Sequence, residues 1–111
     1  MEQLINTNFK NLNDMTVVIA ERFFFARKIR ASENGDLIAE QDCADLENSA
    51  QFIQKVFNAF SKLNNSERNL INNEFFFQSY HNWWESIYSK ATFYRYKKKA
   101  MMNFLEAFYN D

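Results

Sequence analysis

Proline is absent from this chain of 111 residues, and glycine occurs only once, at Gly35. Sheets and tight hairpins usually depend on these two residues, or on Asn-Gly pairs, in their turns. One such pair is present, at Asn34-Gly35, so the sequence indicates at most one hairpin of this kind. The other turns must rely on asparagine and serine, which favours a helical protein over a sheet.

Cysteine and histidine also occur only once each, as Cys43 and His81. A single cysteine excludes an internal disulfide and the multi-cysteine zinc sites. The sequence contains no glycine-rich phosphate loop and no recognisable nucleophile motif. We therefore expect a protein that is not an enzyme, with no small-molecule substrate, no cofactor and no metal ion.

Long apolar runs are missing as well. No stretch approaches the roughly 18 consecutive apolar residues that a bilayer-spanning helix needs, and the first residues do not follow the pattern of a secretory signal. We therefore expect a cytoplasmic protein with no membrane partner. The length of 111 residues and the hydrophobic fraction of 47% fit a single domain over residues 1–111.

Apolar residues recur at helical spacing along most of the chain, which predicts an all-α bundle of four to five helices. The first helix spans about residues 14–30, although its runs of valine, isoleucine and phenylalanine also fit strands. The second begins at Asp42 or Asp45 and ends near Leu63. Its buried stripe is expected to consist of residues spaced three and four apart: Leu46, Ala50, Ile53, Phe57 and Phe60.

The second half of the chain predicts the remaining helices. A third helix is capped by Asn65 or Ser66, and its expected buried residues are Leu70, Ile71 and Phe75. A short helix follows over about residues 81–87. The last helix spans about residues 90–109, and its expected buried stripe comprises Phe93, Tyr96, Ala100, Phe104 and Phe108.

Charge is distributed unevenly along the chain, although the net charge is only −1. Residues 31–54 contain six acidic residues and no lysine or arginine. Residues 86–105 contain no acidic residue and five basic ones: Lys90, Arg95, Lys97, Lys98 and Lys99. Consecutive lysines alone are typical of a solvated helix face, but their place on a helix that follows a turn favours contact with nucleic acid.

The short helix, turn and long helix over residues 80–109 fit a helix-turn-helix, whose second helix enters the major groove of DNA. The domain then consists of N-terminal helices over residues 1–63 and a helix-turn-helix region over residues 64–111. The small side chains of Ala91 and Thr92 would let the start of the last helix approach DNA closely. Spacing places five residues on its outer side: Lys90, Ala91, Tyr94, Arg95 and Lys98.

Two stretches of this region resemble a known family. Residues 61–76 (SKLNNSERNLINNEFF) are similar to a helix of the ArpU and RinA type phage transcriptional regulators, and residues 89–100 (SKATFYRYKKKA) are similar to their recognition helix. These regulators in turn resemble region 4 of sigma factors. The resemblance implies an all-helical protein that binds double-stranded DNA and regulates transcription. It assigns base contacts to Lys90, Ala91, Tyr94 and Arg95, and phosphate contacts to Lys97, Lys98 and Lys99.

Phenylalanine, with 13 residues, exceeds what a small core needs. The runs at residues 23–25 and 75–77 cannot each bury three rings on one helical stripe, and an exposed aromatic patch commonly marks an interaction surface. Such a patch would serve a homodimer, formed through the N-terminal helices, or a partner in the transcription machinery. Of the adjacent Trp83 and Trp84, one should be buried and the other should partly cover the core.

Two other hypotheses fit the same residues. The chain is a helical protein–protein interaction module that uses its aromatic surface and does not bind nucleic acid. Alternatively, it is an orphan helical protein from an AT-rich genome, in which codon usage explains the asparagine, lysine and phenylalanine content. In both cases the basic last helix has no role in nucleic-acid binding.

Overall fold

The computed structural model describes residues 8–32, 42–77 and 82–110, with side chains at residues 8–28, 48–77 and 82–110. These residues form four α-helices and no strand, so the predicted all-α class is confirmed. The turn that the sequence indicates at Asn34-Gly35 lies outside the described residues. The helices are α1 (Phe9–Ser32), α2 (Asp42–Ser61), α3 (Asn65–Ile71) and α4 (Lys90–Tyr109).

Helix α1 begins at Phe9, several residues before its predicted start. The side-chain oxygen of Asn8 accepts the backbone N–H of Asn11 at 2.8 Å, which is the hydrogen bond of an N-cap residue. The buried Thr16 hydroxyl donates to the carbonyl of Leu12 at 2.8 Å, so this polar side chain keeps a hydrogen bond inside the bundle. Because α1 continues through its valine and phenylalanine runs, the strand alternative is wrong for them.

The buried face of α2 differs from the predicted stripe. Val56 and Ala59 are fully buried, whereas Phe57 is 54% exposed. Small side chains at these buried positions allow α2 to pack closely on α1 and α4. The larger ring of Phe60 fits beside them, 5.3 Å from the ring of Phe104. The face that enters the core is therefore set by the space between helices, which the spacing of apolar residues does not reveal.

Helix α3 is capped by Asn64, one position before the predicted cap at Asn65 or Ser66. The side-chain oxygen of Asn64 accepts the backbone N–H of Glu67 at 2.8 Å. In return, the Glu67 carboxylate accepts the backbone N–H of Asn64 at 3.2 Å. This reciprocal capping box satisfies two backbone donors at the helix start, and the helix that follows buries the predicted Leu70 and Ile71.

A π-helical segment, Asn72–Phe76, continues α3 and is called the π turn here. The backbone N–H of Phe77 bonds to the carbonyl of Asn72, five residues earlier. This wider turn buries both Phe75 and Phe76 and leaves Phe77 72% exposed. In the first phenylalanine run, Phe25 is 65% exposed. The prediction that neither run can be buried whole is therefore confirmed.

The predicted short helix over residues 81–87 is wrong for its described part. Residues 82–87 form consecutive turns, and together with Tyr88 they are called the turn segment here. Asn82 opens it with φ of 62°, in the left-handed region that a helix does not use. The element that precedes α4 is therefore a set of turns, and the compact helix-turn-helix expected over residues 80–109 is not confirmed.

Tertiary contacts of the two tryptophans explain this path. The indole N–H of Trp83 donates to the carboxylate of Glu74 at 2.7 Å. The Trp84 ring stacks on Phe93 of α4, with the ring centroids 4.4 Å apart. As predicted, one of the pair, Trp83, is buried and the other is half-buried over the core.

Helix α4 spans its predicted residues 90–109 and packs against α1, α2 and α3. The predicted buried stripe is confirmed except at Tyr96, which is 44% exposed. The residues that α4 buries are Phe93, Ala100, Met101, Phe104, Leu105 and Phe108. None of the helices described here has the length and apolar character needed to cross a membrane.

Candidate nucleic-acid interface

The start of α4 is fixed by Ser89. Its hydroxyl oxygen accepts the backbone N–H of Thr92 at 3.3 Å, and the hydroxyl donates to the Thr92 side chain at 2.9 Å. The Thr92 side chain is therefore engaged in capping and half-buried. Of the two small residues expected to approach DNA, Ala91 is the one that the structure leaves exposed.

Most of the remaining predicted site residues lie on the solvent side of α4. At about 100° per residue, Ala91, Arg95 and Lys98 share one stripe, and Lys99 lies at its border. Lys90 is exposed at the helix start. Four exposed cations at the start and on the outer side of α4 are called the basic face here: Lys90, Arg95, Lys98 and Lys99. Within the described part of the chain, no carboxylate forms an ion pair with any of them.

Lys97 does not belong to this face, although it lies beside Lys98 in the sequence. Its side chain is 11% exposed, and its ammonium group lies 3.0 Å from a carboxylate oxygen of Glu74. The same ammonium group lies 5.5 Å from the ring centroid of Phe9 and 5.2 Å from that of Phe75. The side chain of Lys97 thus extends from α4 toward the π turn and the start of α1, and it points away from the predicted phosphate-binding side.

Two tyrosines border the basic face on opposite sides. Tyr94 is 42% exposed and packs its ring edge-on to Phe9, at 5.6 Å. Tyr96, expected to point inward, is instead 44% exposed, because its position falls at the edge of the buried stripe of α4. Its ring lies 5.4 Å from Tyr88, and the guanidinium of Arg95 lies 5.7 Å from its centroid.

Glu74 is the residue of this region that sequence analysis missed. It binds Trp83, nine residues later, and Lys97, 23 residues later. No periodicity relates residues so far apart, and the π turn that carries Glu74 has no recognised sequence signal. The sequence therefore gives no sign that Glu74, which lies outside the basic segment of residues 86–105, belongs to this region.

Known families, proteins and structures give no match to this chain. No family model matches the chain, and neither a curated protein nor a solved structure is significantly similar to it. The resemblance to phage transcriptional regulators therefore stays an interpretation of two sequence stretches. Among the described residues, no group of acidic, histidine and cysteine side chains is arranged to hold a metal ion.

Proposed function

We propose that this protein binds double-stranded DNA through the basic face of α4 and regulates transcription. The observation that carries the proposal is the arrangement of Lys90, Arg95, Lys98 and Lys99. Arg95, Lys98 and Lys99 are exposed together on one side of the helix, and Lys90 is exposed at its start. No acidic residue occurs between residues 86 and 105. An α-helix fits the major groove of DNA, and exposed cations are drawn to the phosphates on either side.

The chemistry of each side chain suggests its role. Lys98 and Lys99 supply charge to phosphate oxygens, which fixes the helix on the duplex without reading its sequence. Arg95 supplies a planar group with several donors, and such a group binds guanine through two hydrogen bonds. Tyr94 and Ala91 lie nearest the helix start and would contact base edges or thymine methyl groups.

Fluorescence anisotropy with labelled duplexes tests the proposal. The triple variant Arg95→Gln, Lys98→Gln, Lys99→Gln should bind the duplexes much more weakly than the wild type. The matched control is Lys10→Gln, Lys28→Gln, Lys62→Gln, which removes the same net charge from other exposed positions. The control should retain affinity within about threefold, because remote charges act only through the screened field of the whole protein. Equal losses in the two variants, or no binding by the wild type, would reject the proposal.

The exposed phenylalanines favour a second candidate, a protein–protein interaction. Phe57 is 54% exposed and lies at a cavity of about 640 Å³, whose other lining residues are Phe60, Asn65, Ser66, Arg68, Asn69 and Asn72. Under this proposal a homodimer or a transcription-machinery partner covers these rings. Sedimentation velocity tests the homodimer: wild-type protein should sediment as a dimer and Phe57→Ser as a monomer. A monomeric wild type at all concentrations would reject it.

A further inference from the structure

We infer that Glu74 is a positioning residue for the basic face, and that Lys97 serves this internal contact and not the binding of phosphate. The inference rests on the proposed function for its consequence in DNA binding. Its structural part concerns three side chains, Glu74, Trp83 and Lys97, which we call the Glu74 clamp. These side chains come from three separate segments: the π turn, the turn segment and α4.

The two oxygens of the Glu74 carboxylate bind different segments. Oε1 accepts the indole N–H of Trp83 at 2.7 Å, and Oε2 accepts the ammonium group of Lys97 at 3.0 Å. The side chains of Glu74 and Lys97 are only 19% and 11% exposed. In such a partly buried site, a charge-assisted hydrogen bond is stronger than on the exposed surface. One carboxylate therefore holds both the turn segment and α4 against the π turn.

Aromatic rings complete the surroundings of Lys97. Its ammonium group lies near the rings of Phe9 and Phe75, at distances where a cation is attracted to an aromatic face. Phe9 also contacts Tyr94, which borders the basic face. The contacts of Lys97 thus act together with the buried stripe of α4 to hold the rotation of the helix about its own axis. This rotation decides which side of the helix Arg95 and Lys98 occupy.

The location of Glu74 on the π turn supports a special role. A π-helical turn is rare and is frequently found at functional sites. Here it lies directly after α3 and carries both Glu74 and Phe75, two of the groups that contact Lys97. Glu74 reaches no residue of the basic face itself, so its effect on DNA must act through Lys97 and the orientation of α4.

Adjacent lysines provide a matched test that needs no DNA. The folded wild-type protein is treated briefly with acetic anhydride, and the acetylation of Lys97 and Lys98 is compared by tandem mass spectrometry. Lys97 should react at least about fivefold more slowly than Lys98, because its ammonium group is ion-paired with Glu74 and its side chain is mostly buried, so that full access requires local opening. In Glu74→Gln, which keeps an acceptor for Trp83 but lacks the charge, the difference should shrink. Equal reactivity in the wild type would overturn the clamp.

DNA binding then tests the consequence for function. Log K falls as log salt rises, and Lys98→Met should make this slope shallower by about 0.9, the value for one lost phosphate contact. Lys97→Met should leave the slope unchanged while lowering affinity, and Glu74→Gln should do the same. Lost stability alone would also lower affinity at an unchanged slope, so these variants are compared with a control of matched stability. A shallower slope for Lys97→Met would show that Lys97 binds phosphate and would overturn the inference.

The two arms separate the inference from the proposed function. If the wild type binds no duplex, the proposed function fails, and the acetylation arm alone decides whether the clamp exists. If the wild type binds DNA but Lys97 is as reactive as Lys98, the proposed function stands and the clamp fails. Val56→Ala provides a control for lost stability, since Val56 is buried in α2 away from the clamp. At matched melting temperature this control should keep wild-type affinity.

Discussion

Residues that are adjacent in the sequence can have different environments, as two pairs of like residues show. Lys97 and Lys98 are adjacent in sequence, yet one lies in an ion pair and the other in solvent. Phe76 and Phe77 differ in the same way, with 8% and 72% exposure. Successive residues of an α-helix point about 100° apart, and successive residues of the π turn also point in different directions. A run of one residue type on a helix therefore need not share one environment.

The phenylalanine pair leads to a stability prediction. Phe76→Ala should lower the free energy of unfolding by about 3–5 kcal/mol, because the ring is buried and leaves a cavity when it is removed. It packs against Phe23, Phe60 and Phe104. Phe77→Ala should change it by less than about 0.5 kcal/mol, as expected for an exposed side chain. Urea unfolding followed by circular dichroism measures both, and equal losses would contradict the observed burial.

Arg95 carries the prediction about sequence specificity. Arg95→Ala should reduce the discrimination between a selected duplex and a scrambled one by about 1–3 kcal/mol, the value of one bidentate contact to guanine. Lys98→Ala should weaken binding to both duplexes alike, because phosphates carry no sequence information. Competition anisotropy at fixed salt measures the two ratios. Unchanged discrimination in Arg95→Ala would remove this residue from base recognition.

At the scale of elements, local signals were sufficient for α4. The limits of α4 follow from Ser89, whose side chain caps the helix, and from the apolar stripe behind it. The turn segment shows where this reasoning stops. The sequence of residues 82–87 fits a helix, but Trp83 and Trp84 bind partners on other elements and hold the chain in turns. Contacts between distant residues outweigh local preference there.

The capping box of α3 provides a prediction at this scale. Asn64→Ala should lower the free energy of unfolding by about 1 kcal/mol, because the backbone N–H of Glu67 loses its acceptor. The control is Asn65→Ala, which alters the next residue but leaves the capping hydrogen bonds in place. It should cost less than about 0.5 kcal/mol. Thermal unfolding of both variants checks the prediction, and an equal effect would place the cap elsewhere.

At the scale of the whole molecule, the fold class was predictable and the packing was not. Composition excluded sheets rich in tight turns, and helical spacing predicted the bundle. The face of α2 that enters the core depends on neighbouring helices and was predicted only in part. Ile53 and Phe60 pack against the core as expected, but Phe57 is exposed and the buried Val56 and Ala59 were not predicted. The side chain of Leu46 lies outside the described residues. The candidate site follows the same rule. The positions of Arg95 and Lys98 on the outer side were predictable, whereas the Glu74 clamp joins residues that only the fold brings together.

The salt dependence of duplex binding by the wild-type protein tests the central claim most directly. If Lys98 and Lys99 each displace one counterion from a phosphate, log K should fall with log salt with a slope of about −1.8. The triple variant that lacks Arg95, Lys98 and Lys99 should show a much shallower slope, because both of these phosphate contacts are removed. A wild-type slope near zero, or the same slope in both proteins, would contradict the assignment of DNA binding to α4.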